Sequence, residues 1–375
     1  MIVKLSTPTL QSIVTAMKDA GKIPERLNTK RKKLLNDIYR CHTEQCGMTV
    51  EVCPHCGHKV FHYGSCRNPN CPMCGTLKRE KWIHDQEQKL VKAEYCHIIF
   101  TIPSELNPLC LADPTRMYNL LFESVAYTLK SFSQDKKFLG VEYPGFTCVL
   151  HTWGQTLELH PHIHVIFCCG GIDKDGKWKT GRKTKYLFPV KAVAKMFRGY
   201  FLDTLKKKPG KYLVKFHGFT EVILAAGNKD WSVEIREKYS NSKHVIEYLG
   251  RYVNRMAISN GRILAYDGQY VTFSYKDYRD KNKIKKMKLE DTEFLRRFLM
   301  HVPPKRFTRI RHYGFLGNNA KEKWLKIIWS QTEEKHVKQE FDKYQVLFKM
   351  FDRDVRICEC CHKYMYEVKE ASNSS

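Results

Sequence analysis

A chain of 375 residues that is 42% hydrophobic can bury a sizeable core and form more than one domain, which excludes a disordered tail. Lys and Arg number 65 against 39 Asp and Glu, a formal net charge of +26 that points to a polyanionic partner, nucleic acid before any other. No apolar run is long enough to cross a bilayer, so a cytoplasmic location is expected, where fifteen cysteines are read for metal before disulfides.

In chain order, MIVKLSTPTLQSIVTAMKDAGK alternates polar and apolar residues as an amphipathic helix does, and residues 1 to about 38 read as helical, ending in the basic run Lys30, Arg31, Lys32 and Lys33. A cysteine cluster follows. Cys53 with Cys56 and Cys71 with Cys74 form two Cys-x-x-Cys knuckles at the loop length of a zinc ribbon, each turning two thiolates toward one tetrahedral ion. Pro54 and Pro72, with Gly57 and Gly75, suit the tight turn that each knuckle needs. Cys41, His42, Cys46 and Cys66 are candidates for a second ion. A segment this poor in large apolar residues has no core of its own, and structural zinc supplies roughly 10–16 kcal/mol of apparent binding energy to such modules.

From Ala93 the texture becomes that of an α+β domain around an antiparallel sheet. Tyr95 to Ile102 predicts a buried strand, and residues 115 to 133 predict a helix. Phe146 to Gln155 predicts a second strand, and the bend from Thr156 to His160 folds the chain back into LHPHIHV. Residues two apart on a strand share a face, so His162 and His164 present two imidazoles side by side, half of a metal site. Gln155 is the preferred third ligand because it lies nearest the bend, with His151 as the alternative. The segment DKDGKWKTGRKTK reads as a loop, about 190 to 206 as a helix, and 212 to 225 and 231 to 236 as short strands.

Ser242 to Asn260 predicts a helix on which Tyr248 and Tyr252, four residues apart, stand on one face. Such pairs usually fill core, yet a phenol oxygen is also a nucleophile able to form an ester with phosphate. Residues 294 to 313 interleave Arg296, Arg297, Arg306, Arg309 and Arg311 with aromatic residues, as single-strand binding requires, although a helix and strand with charged outer faces would look the same. After Gly317 the chain reads as a charged helical tail with Cys358, Cys360, Cys361 and His362, half a zinc knuckle that could join Cys41 or Cys46.

The runs SCRNPNCPMC, HIIFTIPSEL, VLHTWGQTLELHPHIHV, YLGRYVNRMAISN and FLRRFLMHVPPKRFTRIRHYGFLG resemble the HUH nucleases, and specifically the two-tyrosine rolling-circle transposases of the insertion-sequence ninety-one family. The resemblance covers most of the chain. It implies an N-terminal helical basic segment over 1–40, a zinc-ribbon-like DNA-binding module over 41–92, an HUH endonuclease domain over 93–317 and the tail over 318–375. It further implies Mg²⁺ or Mn²⁺ on His162, His164 and Gln155, with His151 and then Asn254 as substitutes for Gln155, and Tyr248 and Tyr252 as the nucleophiles. Cys41, Cys53, Cys56, Cys66, Cys71 and Cys74 match the family's zinc ligands, for one zinc or two, whereas Thr49 and Asn70 stand where the family has histidines. On the tyrosine helix, Arg251 and Arg255 are candidates to contact flanking phosphates, although a solvated helix face explains them almost as well. The implied activity is cleavage and rejoining of single-stranded DNA, at the ends of a mobile element and at its target, through a 5′-phosphotyrosine in a prokaryotic nucleoid. The rival readings are a replication initiator or relaxase and a non-catalytic zinc-dependent DNA-binding protein.

Overall fold

A computed structural model describes residues 7–181, 187–236, 250, 256–334, 337 and 339–365. The helical first segment holds two helices. α1 (Leu10–Asp19) opens on a capping box between Thr9 and Ser12. It closes where Gly21, at φ 67°, lets the Lys22 N–H reach back to the Met17 carbonyl at 2.8 Å. α2 (Thr29–Arg40) starts on Asn28, whose side chain accepts from the Arg31 N–H. Their apolar stripes, Leu10, Ile13, Val14 and Met17 with Leu34, Leu35 and Ile38, are buried in one core with Ile263, Val271, Phe273, Phe294 and Phe298. Those partners come from an antiparallel meander of β8 (Ile263–Tyr266), β9 (Tyr270–Asp277) and β10 (Lys283–Glu290), and from α8 (Asp291–Met300).

The main sheet runs β11 (Ile310–Gly314), β4 (Tyr143–Trp153), β5 (Leu159–Ile172), β3 (Tyr95–Thr101), β7 (Ser232–Ile235), with β6 (Trp178–Thr180) on β5, and every pairing is antiparallel. One face carries Ile98, Phe100, Cys148, Leu150, Ile163, Val165 and Phe167 into the largest core, shared with α4 (Asn107–Ala112), α5 (Pro114–Gln134) and α6 (Val190–Lys207). The lower half of the other face, Tyr95, Ile166 and Cys168, packs against α9 (Lys321–Gln331). The upper half of that face carries the histidines. The strand expected over 212 to 225 is instead a 3-10 turn and α7 (Phe219–Gly227). Gly218, at φ 78°, starts the helix, and Ile223 and Ala226, three residues apart on it, are both buried in the main core.

The β4–β5 bend is held from the second layer. Leu157 takes φ 64° within it, the Arg297 guanidinium donates to the Thr156 carbonyl at 3.0 Å, and the His301 Nε2 donates to the Leu157 carbonyl at 3.0 Å. At the sheet edge, Gly314 (φ 62°) lies so close to the Pro144 carbonyl that a Cβ there would overlap it. Among the described residues no helix is long and apolar enough to cross a membrane.

Candidate metal centre

Strand pairing decides which imidazoles meet. His162 on β5 lies directly opposite His151 on β4, and His164 lies one pair further along the same face. Side-chain nitrogens of His151, His162 and His164 all fall within 4.8 Å of one another, and the His162 and His164 Nε2 atoms are 3.1 Å apart. The His162 Nδ1 donates to the His160 carbonyl at 2.7 Å, which fixes the tautomer and leaves the Nε2 lone pair facing the group. His164 is oriented in the same way from β3. Its Nδ1 meets the Nε2 of the buried His97 at 2.9 Å, and the two rings stack at 5.1 Å. Trp153 stacks on the outer face of His151, with ring centroids 4.5 Å apart.

Burial removes water from these rings and disfavours their cationic forms. It pulls His162 down to about 4 and His97 to about 3, and it holds His164 well below the usual imidazole range, where repulsion from His151 adds to the effect. These rings are therefore neutral near pH 7, which suits the Nε2 atoms of His162 and His164 to a metal ion. Gln155, the expected third ligand, has both polar atoms of its side chain bonded elsewhere. Its amide NH₂ donates to the Tyr278 hydroxyl at 3.2 Å and its carbonyl oxygen accepts from the Lys276 N–H at 3.4 Å, because the bulge after His151 carries the strand end toward β9. Sequence reasoning passed over His97; its one signal was a lone imidazole in a mostly apolar run.

Tyr248, Tyr252, Arg251 and Asn254 lie outside the described residues. Gly250, between the two tyrosines, is described and buried, against the Ile83 side chain of α3 (Thr76–Glu87), with no room for a Cβ.

The cysteines divide differently from the expected ribbon. Cys41, Cys66, Cys71 and Cys74 form one group of four, at the end of α2 and the start of α3, while Cys53 and Cys56 meet Cys358 and Cys361 from the tail. The tail pair therefore joins neither Cys41 nor Cys46. The physical reason lies in the hairpin of β1 (Met48–Val52) and β2 (Lys59–Tyr63), which carries Cys53 and Cys56 at its turn, away from Cys71 and Cys74 at its base. The sulfurs of Cys66 and Cys74 lie 3.3 Å apart, and the first group seals the edge of the core that α1 and α2 share with the meander. Four thiolates suit a closed, structural zinc site.

The basic stretch is partly occupied within the fold. Arg296 and Arg297 both bond Glu293, at 2.6 and 2.7 Å. Arg311 lies over the Phe122 and Phe307 rings, at 4.1 and 5.3 Å, and donates to Asn119. Arg309 is half-buried, whereas Arg306 is exposed and lines a cavity of about 390 Å³ with Lys305, Phe307 and Arg311.

Residues 10–102 match a family model described as "Transposase zinc-binding domain", and residues 145–323 match one described as "Putative transposase". The chain is 34% identical over 355 residues to "Putative transposase y4qJ" of Sinorhizobium fredii, covering 90% of this chain and 88% of the relative. It is 28% identical over 304 residues to "Transposase for insertion sequence element IS801" of Pseudomonas savastanoi pv. phaseolicola, covering 77% and 71%. No solved structure matches it significantly.

Proposed function

Because this chain belongs to the IS91 family of insertion-sequence transposases, we propose that it cuts and rejoins single-stranded DNA by tyrosine attack at the His151, His162 and His164 centre. The observation that supports this reading is the convergence of three imidazoles on one sheet face, two of which, His162 and His164, are held neutral by burial and fixed by a partner of their own. Such a donor set leaves the double charge of a divalent ion uncompensated, which suits an anionic phosphodiester. Nitrogen donors also suit Mn²⁺ better than Mg²⁺, which prefers oxygen. When bound, the ion would polarise a non-bridging oxygen of the scissile phosphate and stabilise charge in the in-line displacement.

The chain's own residues supply the rest. The phenol oxygen of Tyr248 or Tyr252 loses its proton and attacks phosphorus, the bond to the 3′ oxygen breaks, and the products are a 5′-phosphotyrosine and a free 3′-hydroxyl. The ester keeps the energy needed for rejoining. Two nucleophiles let one DNA end stay covalently held while a second strand is cut. The fixed rings of His162 and His164 hold the centre without reorganisation, and the excess of cations draws the strand to it.

The test is incubation with Mn²⁺ and labelled single-stranded oligonucleotides from the element's ends, read on denaturing gels. A covalent adduct is expected that disappears only when both Tyr248 and Tyr252 become Phe, and that also requires His151, His162 and His164. Tight binding to those ends with no adduct would replace this reading with the non-catalytic one.

A further inference from the structure

We infer that the chain holds a second structural zinc ion, on Cys53, Cys56, Cys358 and Cys361, which clasps the C-terminal segment onto the N-terminal module. The four sulfurs lie within 4.8 Å of one another, with Cys53 to Cys361 at 3.6 Å and Cys56 to Cys358 at 3.7 Å. Cys358 and Cys361 fall outside both stretches matched by the family models.

The two halves are built alike. The Cys53 N–H donates to the carbonyl five residues on, His58, at 2.8 Å, and the Cys358 N–H donates to Lys363 at 2.9 Å. Four residues after each first cysteine, Gly57 and His362 return their N–H groups to it, at 2.9 and 3.0 Å. Both take the left-handed conformation, φ 73° and φ 56°. The N–H groups of His55 and Cys56 point at the Cys53 sulfur, and those of Cys360 and Cys361 point at the Cys358 sulfur. Backbone amides turned onto sulfur stabilise thiolates, and a non-glycine residue in the left-handed region carries a cost that something must offset. Two matching knuckles facing one another supply the four ligands of a closed tetrahedral site.

The surroundings agree. The β1–β2 hairpin exposes Met48, Val50, Phe61 and Tyr63, so it lacks a core of its own, whereas Cys53, Cys358 and Met365 are buried together beside Val60. The approach of the tail is also fixed. Along α3, His84 Nε2 meets the Gln339 carbonyl at 2.9 Å, the Gln339 N–H donates to Gln88 at 3.0 Å, and Phe341 packs edge-on against His84. Soft thiolate donors in this geometry select zinc over the hard cations.

The experiment counts zinc released from full-length protein by an organomercurial thiol reagent, after a chelator wash has cleared ions held by imidazoles. Two ions per chain are expected for the wild type. One is expected for Cys358→Ser with Cys361→Ser, one for Cys53→Ser with Cys56→Ser, and still one when all four are changed. Cobalt reconstitution of the wild type, which depends on no variant folding, should show thiolate charge-transfer intensity for two four-sulfur sites. A single ion in the wild type, a count unmoved by the tail substitutions, or a disulfide between the two knuckles would each overturn the inference.

Discussion

His97 reaches the centre only through another imidazole, its Nε2 2.9 Å from the His164 Nδ1. Partners of this kind set the tautomer and aim of a ligand, and their loss typically costs about 10–100-fold in metal affinity. His97→Ala is therefore expected to weaken Mn²⁺ binding by about that factor in calorimetry, with His97→Gln recovering part of it. His151→Ala should weaken binding at least as much, and Gln155→Ala should leave it nearly unchanged; the reverse order would return the third ligand to Gln155. The pair on β5 was legible because a two-residue period places side chains on one face whatever the rest of the fold does. Alternation along one strand leaves the choice between His151 and Gln155 open, because it depends on cross-strand register and on a bulge.

The hairpin that carries the centre is only as rigid as its bend, and His301 is one of its clamps. Burial pulls this imidazole down to about 4, with the hydrogen bond to Leu157 opposing the shift in part. An unfolded chain would hold the same group near its ordinary value of 6.5. Between those values the unfolded state binds the extra proton, so the contribution of His301 to stability is complete above about pH 6.5 and is lost as pH falls toward 4. The gap corresponds to roughly 3 kcal/mol. Denaturant titrations from pH 7 to 4 should show a steep loss in the wild type, and a flatter one in His301→Gln from a lower start; parallel curves would remove His301 from this role. At this scale the long strands, the helix over 190 to 206 and the bend were readable from periodicity and turn residues. The helix at 219 to 227 was misread as strand, because a short apolar run carries no period of its own and Gly218 decides the matter.

For the molecule as a whole, the N-terminal helices are no appendage. Residues 10–41 share a core with 256–302, and Cys41 and Cys71 are buried at its edge. Chelation strong enough to empty the Cys41, Cys66, Cys71 and Cys74 group should lower the melting temperature. It should also raise hydrogen exchange first in α1, α2 and the meander, while the main sheet, with a separate core under α5 and α6, keeps its protection. Equal loss of protection in both layers would mean that they unfold as one unit. That the cysteines bind metal was legible from two knuckles of fixed spacing. How they pair was not, since thiolates brought together by tertiary structure leave no local pattern.

Cys56 and Cys358 are 302 positions apart, yet their sulfurs lie 3.7 Å from each other. At about 5–20 residues per second on the ribosome, the first knuckle emerges roughly 15–60 seconds before its counterpart. Throughout that time the whole main sheet is being translated between them. A nascent chain halted before Cys358 would carry Cys53 and Cys56 as an open dithiol, and its reactivity toward a thiol label should exceed that of the same two cysteines in the finished protein.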